Sequence, residues 1–341
     1  MKVLIVKLSA LGDILHAMPA VRSLMLSRPD LETGWAVDRR YSSVMELFEG
    51  LVHLHIVDPK RWGGDFAARS FKKATGDLWH QVEDIRRVKY DIALDIQGLI
   101  KSALLSKFSG AGLVAGFSRE ICREPLSARF YREKVHVDTS LPVSHQIMSL
   151  LTKVLDVPGE LADPGLTVPE GAEEKAEQIL ADHGTGSPVV LVVGAGWQTK
   201  VLPLNSFRKV ARALARQAPV IALAGNEEEK VRAELLTDGI ENGGILFREE
   251  IPVLAGVFER ARLVIGGDTG LVHLAAHMGV PTVSFYGASL GARSGPEGPN
   301  HRRVQSDEDC SPCFARECDN IMCMDNLDSD TITEAALEVM R

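Results

Sequence analysis

Short apolar runs alternate with longer amphipathic runs along this chain, and this alternation limits the folds that it can adopt. Strands are predicted at Val3–Leu8, Thr33–Val37, His53–Val57 and Asp91–Asp95, and helices at Ile14–Leu26, Phe66–Val88 and Leu99–Phe108. Strand and helix follow one another, so the pattern predicts a parallel sheet with helices on both faces.

The alternation stops at residues 156–171 and then restarts. This stretch, DVPGELADPGLTVPEG, is rich in Pro and Gly and has no period, which is typical of a linker. The second half predicts strands at Pro188–Val193, Val220–Ala224, Gly244–Phe247, Arg262–Ile265 and Thr282–Tyr286, separated by helices. We therefore expect two doubly wound α/β domains, 1–160 and 172–325, facing a cleft, and a C-terminal helix at 326–341.

Charge is divided unevenly between the two halves. Residues 1–156 carry 22 Lys and Arg against 18 Asp and Glu, whereas the remainder carries 16 against 28. A basic first half suits an anionic substrate or surface, although scattered solvated charges give the same count. No apolar run is long enough to span a membrane, and the N-terminal run is interrupted by Lys7 and Asp13. The expected location is the cytoplasm, with peripheral contact to the inner membrane if the substrate is a lipid.

The first motif is the strand–loop–helix segment VLIVKLSALGDILHAMPAV. Gly12 and Asp13 stand where the strand gives way to the helix, and Gly-x-Gly-x-x-Gly is absent. Asp13 either caps the helix or acts as a general base that deprotonates an attacking hydroxyl.

The loop after the first strand of the second half reads VVLVVGAGWQTKVLPLNSF. Gly194 and Gly196 would let backbone amides approach a phosphate, and Lys200 would neutralise it. The alternative is a surface lysine in a flexible loop. The third glycine of a dinucleotide fingerprint is missing, because Thr199 stands in its place.

The most specific motif is LVIGGDTGLVHLAAHMGVPTVSFYG. A helix starting here would direct the amides of Thr269, Gly270 and Leu271 toward a diphosphate. Asp268 would bind sugar hydroxyls. His273 lies one turn into the helix and is either part of this site or a core histidine.

A fourth junction, LAGNEEEKVRAELL, places Glu227 at the start of a helix. It would accept hydrogen bonds from ribose hydroxyls, or it is an acid favoured by the helix dipole.

Together these segments resemble the lipopolysaccharide heptosyltransferases, glycosyltransferase family 9, across nearly the whole chain. The block Asp-Thr-Gly-Leu-x-His-x-Ala-Ala is the most family-specific part, and DIALDIQGLIKSALLS and REPLSARFY resemble the heptosyltransferase I branch. The resemblance implies the GT-B architecture of two Rossmann-like domains, with the acceptor on the first and the donor on the second. It also implies inverting, metal-independent transfer of heptose from ADP-heptose to Kdo-lipid A, as in Gram-negative lipopolysaccharide biosynthesis.

Residue by residue, the resemblance makes Asp13 the catalytic base and Lys200 a donor-phosphate ligand that stabilises the leaving group. It gives donor-binding positions at Lys200, Glu227, Asp268, Thr269, Gly270 and His273, to which the motifs themselves add Gly196, Thr199 and Leu271. The heptosyltransferase I branch often has hydroxyl residues before the lysine loop, where this chain has Ala195 and Gly196. Phosphate contacts there would come from backbone amides or from Thr199.

The implied acceptor carries phosphates and carboxylates, which basic residues of the first half would bind. We expect Gly12, Lys101 and Arg123 to contact it. Further candidates are Arg61, Lys72, Lys73, Arg119, Arg129 and Arg132.

Four cysteines cluster near the C-terminus, in DCSPCFARECDNIMCM. In a cytoplasmic chain, the spacing of Cys310, Cys313, Cys318 and Cys323 favours a structural Zn²⁺ site over disulfides, with free thiols as the alternative.

Other functions remain open at this point. One is a family member with a different nucleotide sugar or acceptor. Another is a nucleotide-dependent oxidoreductase or epimerase on the same fold, which the missing glycine fingerprint and missing Tyr-x-x-x-Lys disfavour. A third is a non-catalytic binding protein. Fold alone does not separate them.

Overall fold

The computed structural model describes residues 1–59 and 71–341, except for the side chains of 71–78. The chain divides into two compact units, Met1–Thr167 and Val168–Arg341.

The first unit contains a six-stranded sheet whose paired strands all run parallel. In spatial order the strands are β3-β2-β1-β4-β5-β6. The strands are β1 Lys2–Val6, β2 Glu32–Asp38, β3 His53–Val57, β4 Ile92–Asp95, β5 Leu113–Phe117 and β6 Glu133–Val135. The helices are α1 Leu11–Ser27, α2 Phe71–Val88, α3 Ile100–Phe108 and α4 Val143–Leu155, with 3₁₀ segments at Arg39–Leu47 and Pro125–Phe130.

The central strands of this sheet are buried on both faces. Val3, Leu4, Ile5 and Val6 of β1 are fully buried. Strands covered by helices on both sides bury consecutive residues, so their sequence reads as a continuous apolar run and does not alternate. This is why the first strand is evident in the sequence.

The second unit repeats the same topology. Taken from β9, its spatial order is β9-β8-β7-β10-β11-β12, so the third, second, first, fourth, fifth and sixth strands of the unit follow one another as in the first unit. The strands are β7 Val189–Val192, β8 Val220–Ala224, β9 Gly243–Phe247, β10 Leu263–Gly267, β11 Thr282–Tyr286 and β12 His301–Gln305. The helices are α5 Glu170–Asp182, α6 Leu204–Leu214, α7 Glu227–Thr237, α8 Ile251–Arg260, α9 Gly270–His277, α10 Gly291–Ser294, α11 Met322–Asp325 and α12 Ser329–Val339, with a 3₁₀ turn at Gln198–Lys200.

The core of the second unit includes its C-terminal helix. Phe207 of α6 meets Phe285 of β11 edge to face, with ring centroids 5.8 Å apart. Ile332 and Ala336 of α12 are fully buried in the same core. Helix α12 is therefore part of the second unit.

The doubly wound fold predicted from the alternation is confirmed, because both units have a parallel sheet covered by helices. Three strands were missed, namely β5, β6 and β12. The predicted helix Phe66–Val88 begins among residues outside the described part, and its remainder agrees with α2. Among the described residues, the apolar content and length that a membrane-crossing helix needs are not found in any helix.

Candidate functional site

Asp13 lies in the first turn of α1, at the carboxyl end of β1. Helix α1 begins at Leu11, and the half-buried Asp13 side chain reaches back to its N-cap. Its Oδ2 accepts a hydrogen bond from the Ala10 amide at 3.3 Å. The capping interpretation is therefore observed, and Gly12 lies beside the acid in the same turn. The same placement is compatible with the general-base interpretation.

The loop that leads into this turn is held by Gln97, which the sequence analysis did not identify. Gln97 Oε1 accepts from the Leu8 amide at 2.6 Å, and its Nε2 donates to Ser9 Oγ at 3.2 Å. The Gln97 amide in turn donates to Asp95 Oδ1 at 2.9 Å. One amide side chain thus connects the loop after β4 to the loop that carries Asp13.

Asp95, the last residue of β4, is fully buried. Its Oδ2 accepts from the hydroxyls of Tyr131 at 2.7 Å and Ser102 at 2.8 Å. Burial raises the pKa of Asp95 even though these donors and two backbone amides oppose it. A signal was present in the sequence, since an acid ending an apolar strand is costly to bury unless it is hydrogen-bonded.

The structure brings basic side chains together at the same edge of the first sheet. Lys101 lies at the start of α3, and burial lowers its pKa, with further lowering by the positive charges of Arg40 and Arg123. Arg40 pairs with the buried Asp38 at 2.6 Å. Lys101 is therefore within electrostatic range of Arg123, which was predicted beside it, and of Arg40, which no sequence motif indicated.

The remaining basic candidates are exposed or lie outside the described part of the chain. Arg119, Arg129 and Arg132 are exposed. Arg61 lies outside the described residues, as do the side chains of Lys72 and Lys73.

In the second unit, three predicted residues meet around one carboxylate. Asp268 follows β10 directly, and its Oδ2 accepts from Lys200 Nζ at 2.6 Å. His273 Nε2 lies 3.2 Å from Asp268 Oδ1, and Ser294 Oγ lies 3.4 Å from the same oxygen. The motif after β10 and the lysine after β7 thus form one site, as expected for neighbouring parallel strands.

The charges of this cluster are strongly coupled. Burial alone would raise the pKa of Asp268, but the hydrogen bond from His273 and the positive charge of Lys200 outweigh it. The pKa of Asp268 is therefore held well below its usual range, and Asp268 is ionised at neutral pH. Lys200 is partly neutralised by this partner.

Helix α9 begins beside this cluster. Thr269 is its N-cap, and Gly270 and Leu271 form its first turn, where backbone amides have no acceptor within the helix. Gly267 allows the close approach of the two loops, because a Cβ at this position would collide with the carbonyl oxygen of Lys200. These amides are placed as the anion-binding prediction requires.

Thr199 and Gly196 both lie in the loop after β7, but they differ in their exposure to solvent. Thr199 is only 1% exposed, and its hydroxyl donates to the carbonyl of Ala315 at 2.8 Å. A direct side-chain contact between Thr199 and a phosphate is therefore not open in this structure. Gly196 is exposed, and a Cβ there would meet nothing.

Glu227 is the exposed first residue of α7. Its Oε1 lies 3.3 Å from Arg248, which follows β9. Glu229, for which no role was predicted, lies deeper in the turn. It accepts from the Gly225 amide at 2.7 Å, and its carboxylate fills the space that a Cβ on Gly194 would need. Asn226 followed by Glu229 is the spacing of a capping box, so the sequence contained this signal.

The predicted zinc site is not supported. Cys310, Cys313 and Cys318 are exposed free thiols, whereas Cys323 is buried in the core of the second unit. Burial, together with the neighbouring thiols, raises the pKa of Cys323. Within residues 1–59 and 71–341, no three or more His, Cys, Asp or Glu side chains are arranged to hold a metal ion.

The sequence matches known proteins along most of its length. A model of glycosyltransferase family 9 (heptosyltransferase) matches residues 78–323. Lipopolysaccharide heptosyltransferase 1 of Pseudomonas aeruginosa is 31% identical over 323 residues, which cover 93% of this chain and 87% of that protein.

Solved structures agree with the sequence matches. The Escherichia coli heptosyltransferase WaaC with ADP superposes with a TM-score of 0.82 at 24% identity, covering 99% of this chain and 100% of that one. The same enzyme with ADP-2-deoxy-2-fluoro heptose gives a TM-score of 0.80 at 24% identity and covers 99% of both chains. These structures share the fold, and the sequence matches decide the family. The chain belongs to glycosyltransferase family 9, the heptosyltransferases.

Proposed function

We propose that this chain transfers L-glycero-D-manno-heptose from ADP-heptose to Kdo-lipid A, with inversion, in the synthesis of the lipopolysaccharide inner core. The observation that carries the proposal is the 31% identity with a lipopolysaccharide heptosyltransferase 1, which extends over 93% of the chain. The charged cluster around Asp268 supplies the chemistry that such a donor needs.

In this proposal the second unit binds the donor. Lys200 and the first-turn amides of α9, from Thr269 to Leu271, hold the diphosphate, and Asp268 and His273 bind heptose hydroxyls. Glu227 accepts from the ribose, and the exposed loop at Gly196 leaves its backbone open to phosphate. Lys200 and the amides take the charge-stabilising role that a divalent cation has in other transferases.

Asp13 acts as the general base. The acceptor hydroxyl passes its proton to the Asp13 carboxylate while its oxygen forms a bond to the anomeric carbon. The bond from that carbon to the diphosphate oxygen breaks, and ADP leaves with the electron pair. One carboxylate suffices for this single displacement, whereas glycoside hydrolysis requires two.

The acceptor side of the proposal uses the basic cluster of the first unit. Lys101 and Arg123 bind the anionic groups of Kdo-lipid A, beside Gly12. A lipid acceptor also implies peripheral contact with the cytoplasmic face of the inner membrane.

The proposal is tested by turnover of purified protein with ADP-heptose and Kdo-lipid A, with and without a chelator. We expect ADP release and a product of inverted anomeric configuration, at the same rate in both conditions. Asp13→Asn protein is the control for non-enzymatic hydrolysis. Absence of transfer, or loss of activity in chelator, contradicts the proposal, and hydride transfer from a nicotinamide would favour the oxidoreductase alternative.

A further inference from the structure

The segment between the C-terminal cysteines lies along the carboxyl edge of the second sheet. Ser311 Oγ donates to the carbonyl of Gly287 at 2.8 Å, and the Phe314 amide donates to the carbonyl of Ala288 at 2.7 Å. Both acceptors are in the turn after β11. The hydrogen bond from Thr199 to Ala315 ties the same segment to the loop after β7. The position of the next residue, Arg316, is thereby fixed at its backbone.

Arg316 and Lys200 share one aromatic ring. The Arg316 guanidinium carbon lies 5.0 Å from the centroid of the Trp197 ring, and Lys200 Nζ lies 4.3 Å from the same centroid. Both distances are within the range of cation–π attraction. Trp197 therefore holds a second cation close to the lysine that belongs to the donor site.

The two cations differ in their availability. Lys200 is ion-paired with Asp268, whose negative charge offsets its own. Arg316 is exposed, and it makes no ion pair with any residue in the described part of the chain. A diphosphate carries at least two negative charges, so one partly neutralised lysine leaves most of that charge uncompensated.

We propose that Arg316 binds the diphosphate of the nucleotide-sugar donor, as the second cation beside Lys200. The inference rests on the proposed function and adds to it a residue outside the motifs of the family resemblance. A guanidinium suits this role because it can donate two parallel hydrogen bonds to phosphate oxygens. It also opposes the charge that grows on the leaving ADP as the bond to the sugar breaks.

The test is calorimetric titration of ADP into wild-type protein and the variants Arg316→Gln, Arg316→Lys and Arg216→Gln. Arg216 is an exposed arginine after α6 and is the matched control. We expect Arg316→Gln to weaken ADP binding about 10-fold or more, as for loss of a charge-assisted hydrogen bond. Arg316→Lys should retain a part of the affinity, and Arg216→Gln should bind ADP as the wild type does.

The outcomes separate the inference from the proposed function. If the wild type binds ADP and Arg316→Gln binds it equally well, the inference is overturned and the proposed function stands. If the wild type does not bind ADP, the proposed function fails and the inference fails with it. A thermal unfolding midpoint for Arg316→Gln equal to that of the wild type would show that any loss of affinity reflects a lost contact with ADP.

Discussion

The two units have the same strand order, and each places an aspartate at the carboxyl end of its fourth strand. In the first unit this residue is Asp95, which is buried among the uncharged donors Tyr131 and Ser102 and two backbone amides. In the second unit it is Asp268, which is buried against Lys200 and His273. Burial raises the pKa of the first acid, whereas charged partners lower the pKa of the second.

The difference shows that the same position in one topology can hold a structural acid in one unit and an ionised acid with charged partners in the other. Asp95 accepts a hydrogen bond from the Gln97 amide, and the Gln97 side chain in turn binds the loop before Asp13. The role of Asp95 is therefore structural. Asp268 is largely buried but remains ionised, and it lies at the carboxyl edge of the second sheet beside a helix start. The position is set by the fold, and the neighbouring side chains decide the function.

The largest expected effect comes from substituting Asp13, the proposed general base. Asp13→Asn should lower kcat about 10²- to 10⁴-fold, the usual contribution of a general base, with a small change in the thermal unfolding midpoint. Steady-state kinetics measures this, with the exposed Asp84→Asn as the matched control. Wild-type turnover by Asp13→Asn would show that Asp13 is not the general base.

Lys200→Met should lower kcat about 10²-fold or more, because the leaving group loses its nearest cation. It also leaves Asp268 without its main charge partner, so we expect a lower unfolding midpoint. Lys200→Arg keeps the charge and should restore the midpoint. Lys175→Met, at an exposed ion pair in the same unit, is the control. An equal loss of turnover in Lys200→Met and Lys175→Met would show that Lys200 has no specific role in turnover.

Gln97→Leu tests whether the hydrogen bonds of Gln97 to the loop before Asp13 position that acid for the reaction. It removes the hydrogen bonds to Leu8 and Ser9, and we expect kcat to fall about 10-fold, from one or two lost bonds. Gln97→Glu retains an acceptor for the Leu8 amide and should recover part of the rate. Unchanged kcat in Gln97→Leu would show that this connection does not position Asp13.

The smallest effect is a difference in pH dependence between the two acids. The pKa of the Asp95 carboxyl is higher in the folded state than in the unfolded state, where it is about 3.9. Its protonated form therefore stabilises the folded protein below about pH 3.9, and this stabilisation is lost as the pH rises through the folded-state pKa. The gap in thermal midpoint between wild type and Asp95→Asn should therefore narrow as the pH rises above about 4. A lowered pKa has the opposite sign, so the gap for Asp268→Asn should narrow as the pH falls below about 4. If the gap in thermal midpoint changed with pH in the same direction for both variants, the two acids would not have pKa shifts of opposite sign.

Much of the fold was predictable because consecutive buried residues such as Val3–Val6 make the strands visible in the sequence. Two of the three missed strands, β6 and β12, have a physical reason. β6 has only three residues, and β12, HRRVQ, is a partly exposed edge strand without an apolar run. Their pairing partners provide the order that their own side chains do not indicate.

The site was predictable where it follows strands in short loops, as Asp13, Lys200 and Asp268 do. It was not predictable where distant segments meet. Gln97 reaches Leu8 across 89 positions, and Arg316 reaches the ring of Trp197 from a different loop. The cysteine spacing predicted a zinc site that is not supported, and it did not indicate that Cys323 packs into the core while the other three thiols are exposed. Spacing along the chain does not reveal such a division.

If the proposed donor site lies entirely within the second unit, ADP binding should depend on Lys200 and not on the proposed base, Asp13. The decisive measurement is calorimetric titration of ADP into Asp13→Asn and Lys200→Met. We expect Asp13→Asn to bind ADP within about twofold of the wild type, as for independent sites, and Lys200→Met to bind it about 10-fold more weakly or worse. Equal weakening in the two variants, or full affinity in Lys200→Met, would show that the donor site is not formed in this way.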